Sequence, residues 1–277
     1  MKNKPQKIKM IALDLDGTTL NNKGEFSPAT RRAFASALKA GVHIVISTGR
    51  SFASLPKEIF EMEGLEYVIT SNGAHITRLD TCKTIYENHV NSEAINAVVN
   101  ALKGSGFSVE AFVDGRAYID RQEFDQVQNH GSTYRDVNYI LKTRNPVDDI
   151  FCHILENREK IENININFEF LEDKERMGEI LRKIKNITLT SSFNHNWEIG
   201  GENTSKAQAL RFLMNKLYIK EEELLACGDS PNDSKMIELA GVGACVANAT
   251  DDAKAIADVI TDSNENDGVA KIIEKYL

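Results

Sequence analysis

Ile8-Lys9-Met10-Ile11-Ala12-Leu13-Asp14-Leu15-Asp16-Gly17-Thr18 is a short apolar run that ends in acid. The run predicts a buried strand over Ile8 to Leu13. Two carboxylates at i and i+2 lie on the same side of an extended chain. Gly17 lets the backbone turn sharply just beyond them. Asp14 and Asp16 abut a fully apolar strand, where repulsion and desolvation call for a compensating cation. A merely solvated acidic turn fits that setting poorly.

Working outward, Ser27 and Pro28 make a helix start, a cap followed by proline at the first helical position. Ala33, Phe34, Ala37 and Leu38 form its apolar stripe, and Gly41 supplies the stop. Val42 to Ile46 predicts a second buried strand, followed by Thr48-Gly49-Arg50. Pro56 limits the next helix, either kinking it or sitting in its first turn with Ser54 as cap. Tyr67 to Thr70 predicts a third strand, ending at Ser71-Asn72-Gly73-Ala74. The alternation of strand and helix is that of an α/β fold with a parallel sheet. The same pattern returns late in the chain, with a helix over Ser205 to Leu217 and a strand over Leu224 to Cys227. A helix over Pro231 to Ala240 and a strand over Val242 to Val246 follow.

The middle of the chain reads differently. Ser108 to Asp120 predicts two strands around Asp114-Gly115, a hairpin pair. Ile164 to Phe170 alternates strictly, which predicts a strand with one solvated face. Helices are expected at Ser92 to Lys103 and Lys174 to Lys185. We therefore expect an α/β core over residues 1–85 and 197–277, interrupted by an inserted α+β domain over residues 86–196.

The chain has 277 residues and a formal net charge of -8. Nucleic acid is a poor fit as partner, because phosphate backbones are bound through clustered Lys and Arg. No apolar run approaches the roughly 18 residues of a membrane span. The basic stretch Met1 to Lys9 leads into an apolar segment that Asp14 and Asp16 cut short, so no signal peptide is expected. Cys82, Cys152, Cys227 and Cys245 have no zinc spacing and read as reduced thiols. These features predict a cytoplasmic protein without membrane partners, and they leave the oligomeric state open. The six histidines show no ligand spacing, Trp197 reads as packing, and Gly241-x-Gly243 lacks the third glycine of a dinucleotide site.

A second acidic cluster, Gly228-Asp229-Ser230-Pro231-Asn232-Asp233, ends another apolar strand. If both strands lie in one parallel sheet, Asp14, Asp16, Asp229 and Asp233 converge on one edge, where ligands of open α/β sheets sit. Several carboxylates there demand a hard cation, and oxygen ligands beside a phosphorylated substrate point to Mg2+. The hydroxyl of Thr48 and nearby N–H groups suit a phosphate oxygen. Lys206, at a helix start, suits the same site.

Taken together, these residues resemble the haloacid dehalogenase (HAD) superfamily. Asp14-x-Asp16-Gly17-Thr18 resembles its first motif, Thr48 its second, Lys206 its third and Gly228-Asp229-x-x-Asn232-Asp233 its fourth. Thr48-Gly49-Arg50, Ser71-Asn72-Gly73-Ala74 and the large insert resemble the Cof-type subgroup, which implies a Rossmann-like core with a C2B cap. Ala207 departs from the glycine expected after the motif lysine.

The resemblance implies a phosphatase acting on a small phosphorylated metabolite such as a sugar or polyol phosphate. Asp14 would be the nucleophile and Asp16 the acid and base. Asp14, the carbonyl of Asp16, Asp229 and Asp233 would serve the metal. Lys206 and Thr48 would offset phosphoryl charge, and Arg50, Asn72, Gly73 and Asn232 would lie on the substrate side. Asn248 reads as structural. A phosphomutase or phosphotransferase, or a non-catalytic phosphometabolite-binding protein, would share the scaffold. No G-x-x-x-x-G-K-[ST] loop supports a nucleotide-dependent enzyme.

Overall fold

The computed structural model describes residues 7–277, so the first six residues of the basic segment read over Met1 to Lys9 lie outside the described residues. In chain order it forms β1 (Met10–Leu13), α1 (Pro28–Lys39), β2 (His43–Ser47), α2 (Lys57–Glu61), β3 (Tyr67–Thr70), β4 (His75–Arg78) and β5 (Lys83–Glu87). There follow α3 (Ser92–Leu102), β6 (Ser108–Val113), β7 (Arg116–Asp120), α4 (Arg121–His130), α5 (Val137–Thr143) and β8 (Arg144–Val147). Next come α6 (Ile150–Glu156), β9 (Ile161–Asn167), α7 (Leu171–Leu181), β10 (Ile187–Thr190) and β11 (Asn196–Gly201). The chain closes with α8 (Lys206–Leu217), β12 (Leu224–Gly228), α9 (Ser234–Leu239), β13 (Val242–Cys245), α10 (Asp251–Ile256), β14 (Val259–Ile260) and α11 (Gly268–Tyr276). Among the described residues no helix is long and apolar enough to cross a membrane.

Two compact units result. The larger holds the residues up to Gly49, Pro56–Glu87 and Ser205–Leu277; the smaller holds Arg50–Leu55 and Asn88–Thr204.

The sheet of the larger unit has the order β14-β13-β12-β1-β2-β3-β4-β5. It is parallel from β14 through β3, and β4 and β5 run antiparallel at one edge. Leu13 stands opposite Cys227 on one side and Ile46 on the other. The chain therefore leaves β12, β1 and β2 at one end of the sheet. Every residue of β1 is at most 1% exposed, and burying each of Met10, Ile11 and Leu13 stabilises by roughly 1.5–3 kcal/mol. Leu210, Leu213 and Met214 of α8 and Met236 of α9 pack on Ala12, Val45, Ile69 and Ala226. Ser27 caps α1, its Oγ accepting from the Thr30 N–H at 3.0 Å. Pro56 neither kinks a helix nor enters one; it immediately precedes α2, where its fixed φ costs nothing.

The sheet of the smaller unit has the order β10-β11-β9-β6-β7-β8 and is antiparallel except between β7 and β8. One face carries Val109, Ala111, Ile164, Ile166 and Ile199, packed with Ile95, Val98, Ile154 and Leu181 from the helices. β11 pairs with β9 and β10, so this unit runs on to Thr204, beyond the 196 expected from sequence. Arg50–Leu55 also belongs here, the Ala53 N–H donating to the Gly115 carbonyl at 2.8 Å.

One expectation fails. The alternating strand was predicted over Ile164 to Phe170 with a solvated polar face, but it spans Ile161–Asn167 and is buried on both faces. Asn163, Asn165 and Asn167 are 1%, 6% and 3% exposed. Arg135, from the link between α4 and α5, and Arg144, opening β8, both pair with Glu110 of β6 on this polar face. Arg135 also reaches Glu123 at 2.5 Å. The charges that bury the face are supplied by residues far away in sequence, which the local alternation does not encode.

Candidate active site

The larger unit gathers polar residues where β1, β2, β3 and β12 end. Asp14 follows β1 and is 5% exposed. Gly17 holds a φ of +77° two residues after Leu15, and a Cβ there would come 2.9 Å from Asp229 Oδ2. Glycine is thus required both for the turn and for the approach of the two loops. Asp229 follows β12, and its carboxylate accepts from Thr18 Oγ1 at 2.7 Å and Ser230 Oγ at 2.6 Å. Asp233 is fully buried, its Oδ2 accepting from the N–H groups of Asp229 and Ser230 at 3.0 and 3.1 Å.

Lys206 opens α8 and is 0% exposed. Its ammonium donates to Asp14 Oδ1 at 2.5 Å and to Asp233 Oδ1 at 2.6 Å. The start of α8 is seated against the Ser71-Asn72-Gly73 turn: a Cβ on Gly73 would stand 2.2 Å from the Ser205 carbonyl oxygen. Asn72 takes a left-handed φ of 56° in the same turn. Its Oδ1 accepts from Asn232 Nδ2 at 3.0 Å, leaving Asn72 Nδ2 and Asn232 Oδ1 buried without a protein partner. The Asn72 N–H also donates to the carbonyl of Thr48, at 3.1 Å, tying the ends of β2 and β3 together.

The electrostatics are unbalanced. Asp14, Asp229 and Asp233 each offer a carboxylate oxygen, all within 4.8 Å of one another. Against three carboxylates stands the ammonium of Lys206. Burial, aided by Asp233, Asp229 and Asp16, holds the Asp14 carboxyl well above its usual range despite Lys206. Burial and Asp233 push Asp229 up to about 6, against the hydroxyls of Ser230 and Thr18. Burial alone would lower the Lys206 ammonium, but Asp14 and Asp233 raise it above its ordinary value and keep it charged. Two negative charges in excess, presented by hard oxygen donors, fit a divalent cation, so the cluster has the composition to hold a metal ion.

Of the residues expected from sequence, Asp14, Asp229, Asp233 and Lys206 come together, and Asn72, Gly73, Asn232 and Thr48 line the adjoining strand ends. Asp16 is exposed and is not one of the three clustered carboxylates, although its charge helps to raise the Asp14 carboxyl. Arg50 belongs to the smaller unit, with its guanidinium 4.8 Å from the Tyr139 ring centre and Nη1 donating to the Ser54 carbonyl at 3.0 Å. Thr18 and Ser230 had no assigned function, although both lie inside the acidic motifs. Asn248 braces the site, its Nδ2 donating to the Gly17 carbonyl at 2.8 Å and its Oδ1 accepting from the Asn264 N–H at 3.0 Å. The structural reading of Asn248 agrees with those contacts, which no local pattern announced.

This geometry has known counterparts. Residues 11–273 match the family model described as haloacid dehalogenase-like hydrolase. The chain is 32% identical over 288 residues to Phosphatase YwpJ of Bacillus subtilis, covering 98% of this chain and all of that one. It is 30% identical over 276 residues to the 5-amino-6-(5-phospho-D-ribitylamino)uracil phosphatase YcsE of the same organism, covering 98% and 96%. A solved haloacid dehalogenase-like hydrolase from B. subtilis superposes with a TM-score of 0.84 at 30% identity, covering 98% of this chain and 100% of that one. With its carboxylate cluster at the ends of parallel strands and a match across nearly its whole length, the chain belongs to the haloacid dehalogenase-like hydrolases, in their Cof-type group, as a phosphoric monoester hydrolase.

Proposed function

We propose that the protein is a Mg2+-dependent phosphatase of small phosphorylated metabolites that works through an aspartyl-phosphate on Asp14. The observation that carries this reading is the position of Asp14: buried at the end of β1, held by Lys206 and flanked by Asp229 and Asp233. A carboxylate so confined is oriented for attack and has its charge managed by its neighbours.

An oxygen of Asp14 forms a bond to phosphorus while the ester P–O bond breaks, and Asp16 gives its proton to the departing alkoxide. Water then attacks the same phosphorus, Asp16 takes its proton, and the Asp14 carboxylate leaves, releasing inorganic phosphate. Exposure of the Asp16 side chain suits a group that must exchange protons with a substrate. Lys206, Thr48, Asn72, Gly73 and Asn232 offset charge on the phosphoryl oxygens, through an ammonium, a hydroxyl, amides and backbone N–H groups. The unpartnered Nδ2 of Asn72 is a ready donor for that purpose.

Asp14 and Asp229, with the carbonyl of Asp16, would hold Mg2+, which when bound supplies positive charge to the phosphoryl oxygens. Asp233, whose oxygens accept from Lys206 and from two backbone N–H groups, fixes Lys206 and the Asp229 loop and supports the metal beside Asp14 and Asp229. A relative named for dephosphorylating a ribityl compound supports polyol or sugar phosphates as the substrate class.

Asp14→Asn tests the reading, since an amide of nearly the same shape cannot attack phosphorus. Turnover of para-nitrophenyl phosphate and of sugar phosphates with Mg2+ should vanish while circular dichroism stays that of the wild type. Near wild-type activity in Asp14→Asn would falsify the covalent mechanism.

A further inference from the structure

Gly17 creates a difficulty for the site it helps to build. Its left-handed φ and the approach of Asp229 both require glycine, yet a glycine backbone has the most conformational freedom to lose. Asp16 has φ and ψ of -78° and 123°, and Gly17 has 77° and -9°. These are the two central residues of a type II turn. The Asp16 carbonyl, the backbone oxygen proposed for Mg2+, belongs to the peptide between them. A type I turn keeps nearly the same ends but directs that carbonyl to the opposite side.

The rest of the segment is tied by its own residues. The Leu20 N–H donates to the Leu15 carbonyl at 2.9 Å, and Thr18 Oγ1 donates to Asp229 Oδ1 at 2.7 Å. The Gly17 carbonyl is held from far along the chain, by Asn248 Nδ2 at 2.8 Å. Asn248 is held in turn, its Oδ1 accepting from the Asn264 N–H at 3.0 Å. Two residues beyond Asn248, the Thr250 N–H donates to the Asp229 carbonyl at 2.9 Å. The segment after β13 therefore touches both loops that carry the proposed metal ligands. An asparagine that serves only its own turn bonds to backbone groups within a few residues. Both side-chain bonds of Asn248 go to distant segments instead.

We infer that Asn248 is a positioning residue for the metal: its amide holds the Gly17 carbonyl and so fixes the turn that presents the Asp16 carbonyl to the cation. The inference rests on the phosphatase reading and adds to it a residue outside the carboxylate cluster on which metal affinity depends. Asn248 touches neither substrate nor metal in this scheme. Its loss leaves the carboxylates in place and frees the turn to withhold the carbonyl. The cost then falls on Mg2+ affinity, not on the rate of the loaded enzyme.

The test compares Asn248→Ala and the more shape-keeping Asn248→Leu with Asn264→Ala. Asn248→Ala removes the bonds to the Gly17 carbonyl and from the Asn264 N–H. Asn264→Ala removes the bonds from its Nδ2 to the Leu20 carbonyl, at 3.0 Å, and to Asn22 Oδ1, at 3.3 Å, and keeps the N–H that holds Asn248. The two alanine variants thus lose matched numbers of hydrogen bonds and should melt at similar temperatures in metal-free buffer. Calorimetry should show Mg2+ binding weakened about tenfold in both Asn248 variants, the lower end of what losing an outer partner of a metal ligand costs, and unchanged within about twofold in Asn264→Ala. The Mg2+ concentration for half-maximal turnover should rise by the same factor, with kcat at saturating Mg2+ kept. Mg2+ affinity within twofold of wild type in both Asn248 variants overturns the inference. So does a loss in Asn264→Ala as large as theirs, which would assign the effect to general loosening of the fold. A wild type that binds no Mg2+ removes the metal reading and this inference together. A wild type that binds Mg2+ but turns over no phosphate ester fails the phosphatase reading alone, and the affinities still decide the role of Asn248.

Discussion

Two regions of this molecule bury ionised groups, and they do so with opposite balance. At the strand ends of the larger unit, three carboxylates share one ammonium, and Asp14 and Asp229 respond by holding protons more tightly than usual. On the polar face of the smaller sheet, Glu110 and Glu123 meet Arg135 and Arg144, two against two. There burial would raise the Glu110 carboxyl, but Arg144 and Arg135, with hydrogen bonds from Arg144 and Asn165, bring it down to about 2. A network balanced in charge calls for no added ion and serves the fold. An unbalanced one is a standing demand for a cation, and it is found where phosphoryl chemistry is expected.

The sharpest way to break the contrast is to remove Lys206, the cation that the unbalanced cluster holds among the described residues. Lys206→Met should lower kcat on para-nitrophenyl phosphate by roughly 10²–10³-fold, the usual loss for one oriented charge at a developing oxyanion. It should also lower the melting temperature in metal-free buffer, because Asp14 and Asp233 lose their partner. Added Mg2+ should restore much of the stability, since any divalent charge relieves the repulsion, but not kcat, since the metal does not occupy the position of the ammonium. A variant within tenfold of wild-type kcat would remove Lys206 from the chemistry.

The balanced network calls for the converse test. Glu110→Gln leaves Arg135 and Arg144 buried without their carboxylate, which should destabilise by about 3–5 kcal/mol. The pH dependence follows from the direction of the shift. With a folded pKa of about 2 against an ordinary 4.5, the contribution of Glu110 is fully present above about pH 4.5 and is lost as pH falls toward 2. It amounts to about 3 kcal/mol. Denaturant titrations between pH 7 and 2 should show the wild type losing that stability, and Glu110→Gln lacking that part of the slope. Equal slopes in the two proteins would mean that Glu110 is not ionised by its arginines.

The two regions also differed in how far sequence could reach them. The cluster was legible because each of its residues sits at the end of an apolar run: Asp14 after β1, Thr48 after β2, Asn72 after β3 and Asp229 after β12. Parallel strands in one sheet bring such ends together whatever lies between them. Lys206 was legible only through resemblance, since nothing local distinguishes it from a surface lysine. The smaller unit misled in proportion to its dependence on distant residues. The hairpin at Asp114-Gly115 was read correctly because turn chemistry is local. The polar face of β9 was read as solvated because its cover, Arg135 and Arg144, comes from segments that show no pattern of their own. Thr18 and Ser230 stood inside motifs already quoted, but their bonds to Asp229 depend on how two loops meet.

A smaller effect joins charge balance to the metal. Without a cation, Asp229 keeps its proton up to about pH 6, through burial and the neighbouring Asp233. A metal ion must displace that proton to use the carboxylate. Above about pH 6 this group is already ionised and its contribution to Mg2+ affinity is level. Below it, each pH unit should weaken binding by about tenfold, since a proton is released for every ion bound. Asp14, raised in the same direction, makes the fall steeper. Calorimetry of Mg2+ binding at pH 5, 6, 7 and 8, in buffers of different ionisation enthalpy, reads both the affinity and the protons released. The balanced network predicts no such coupling, so Glu110→Gln should shift stability while leaving the shape of this profile alone. An affinity that is flat from pH 8 to pH 5, with no proton released, would place the metal away from Asp14 and Asp229 and would dissolve the link between excess negative charge and cation demand.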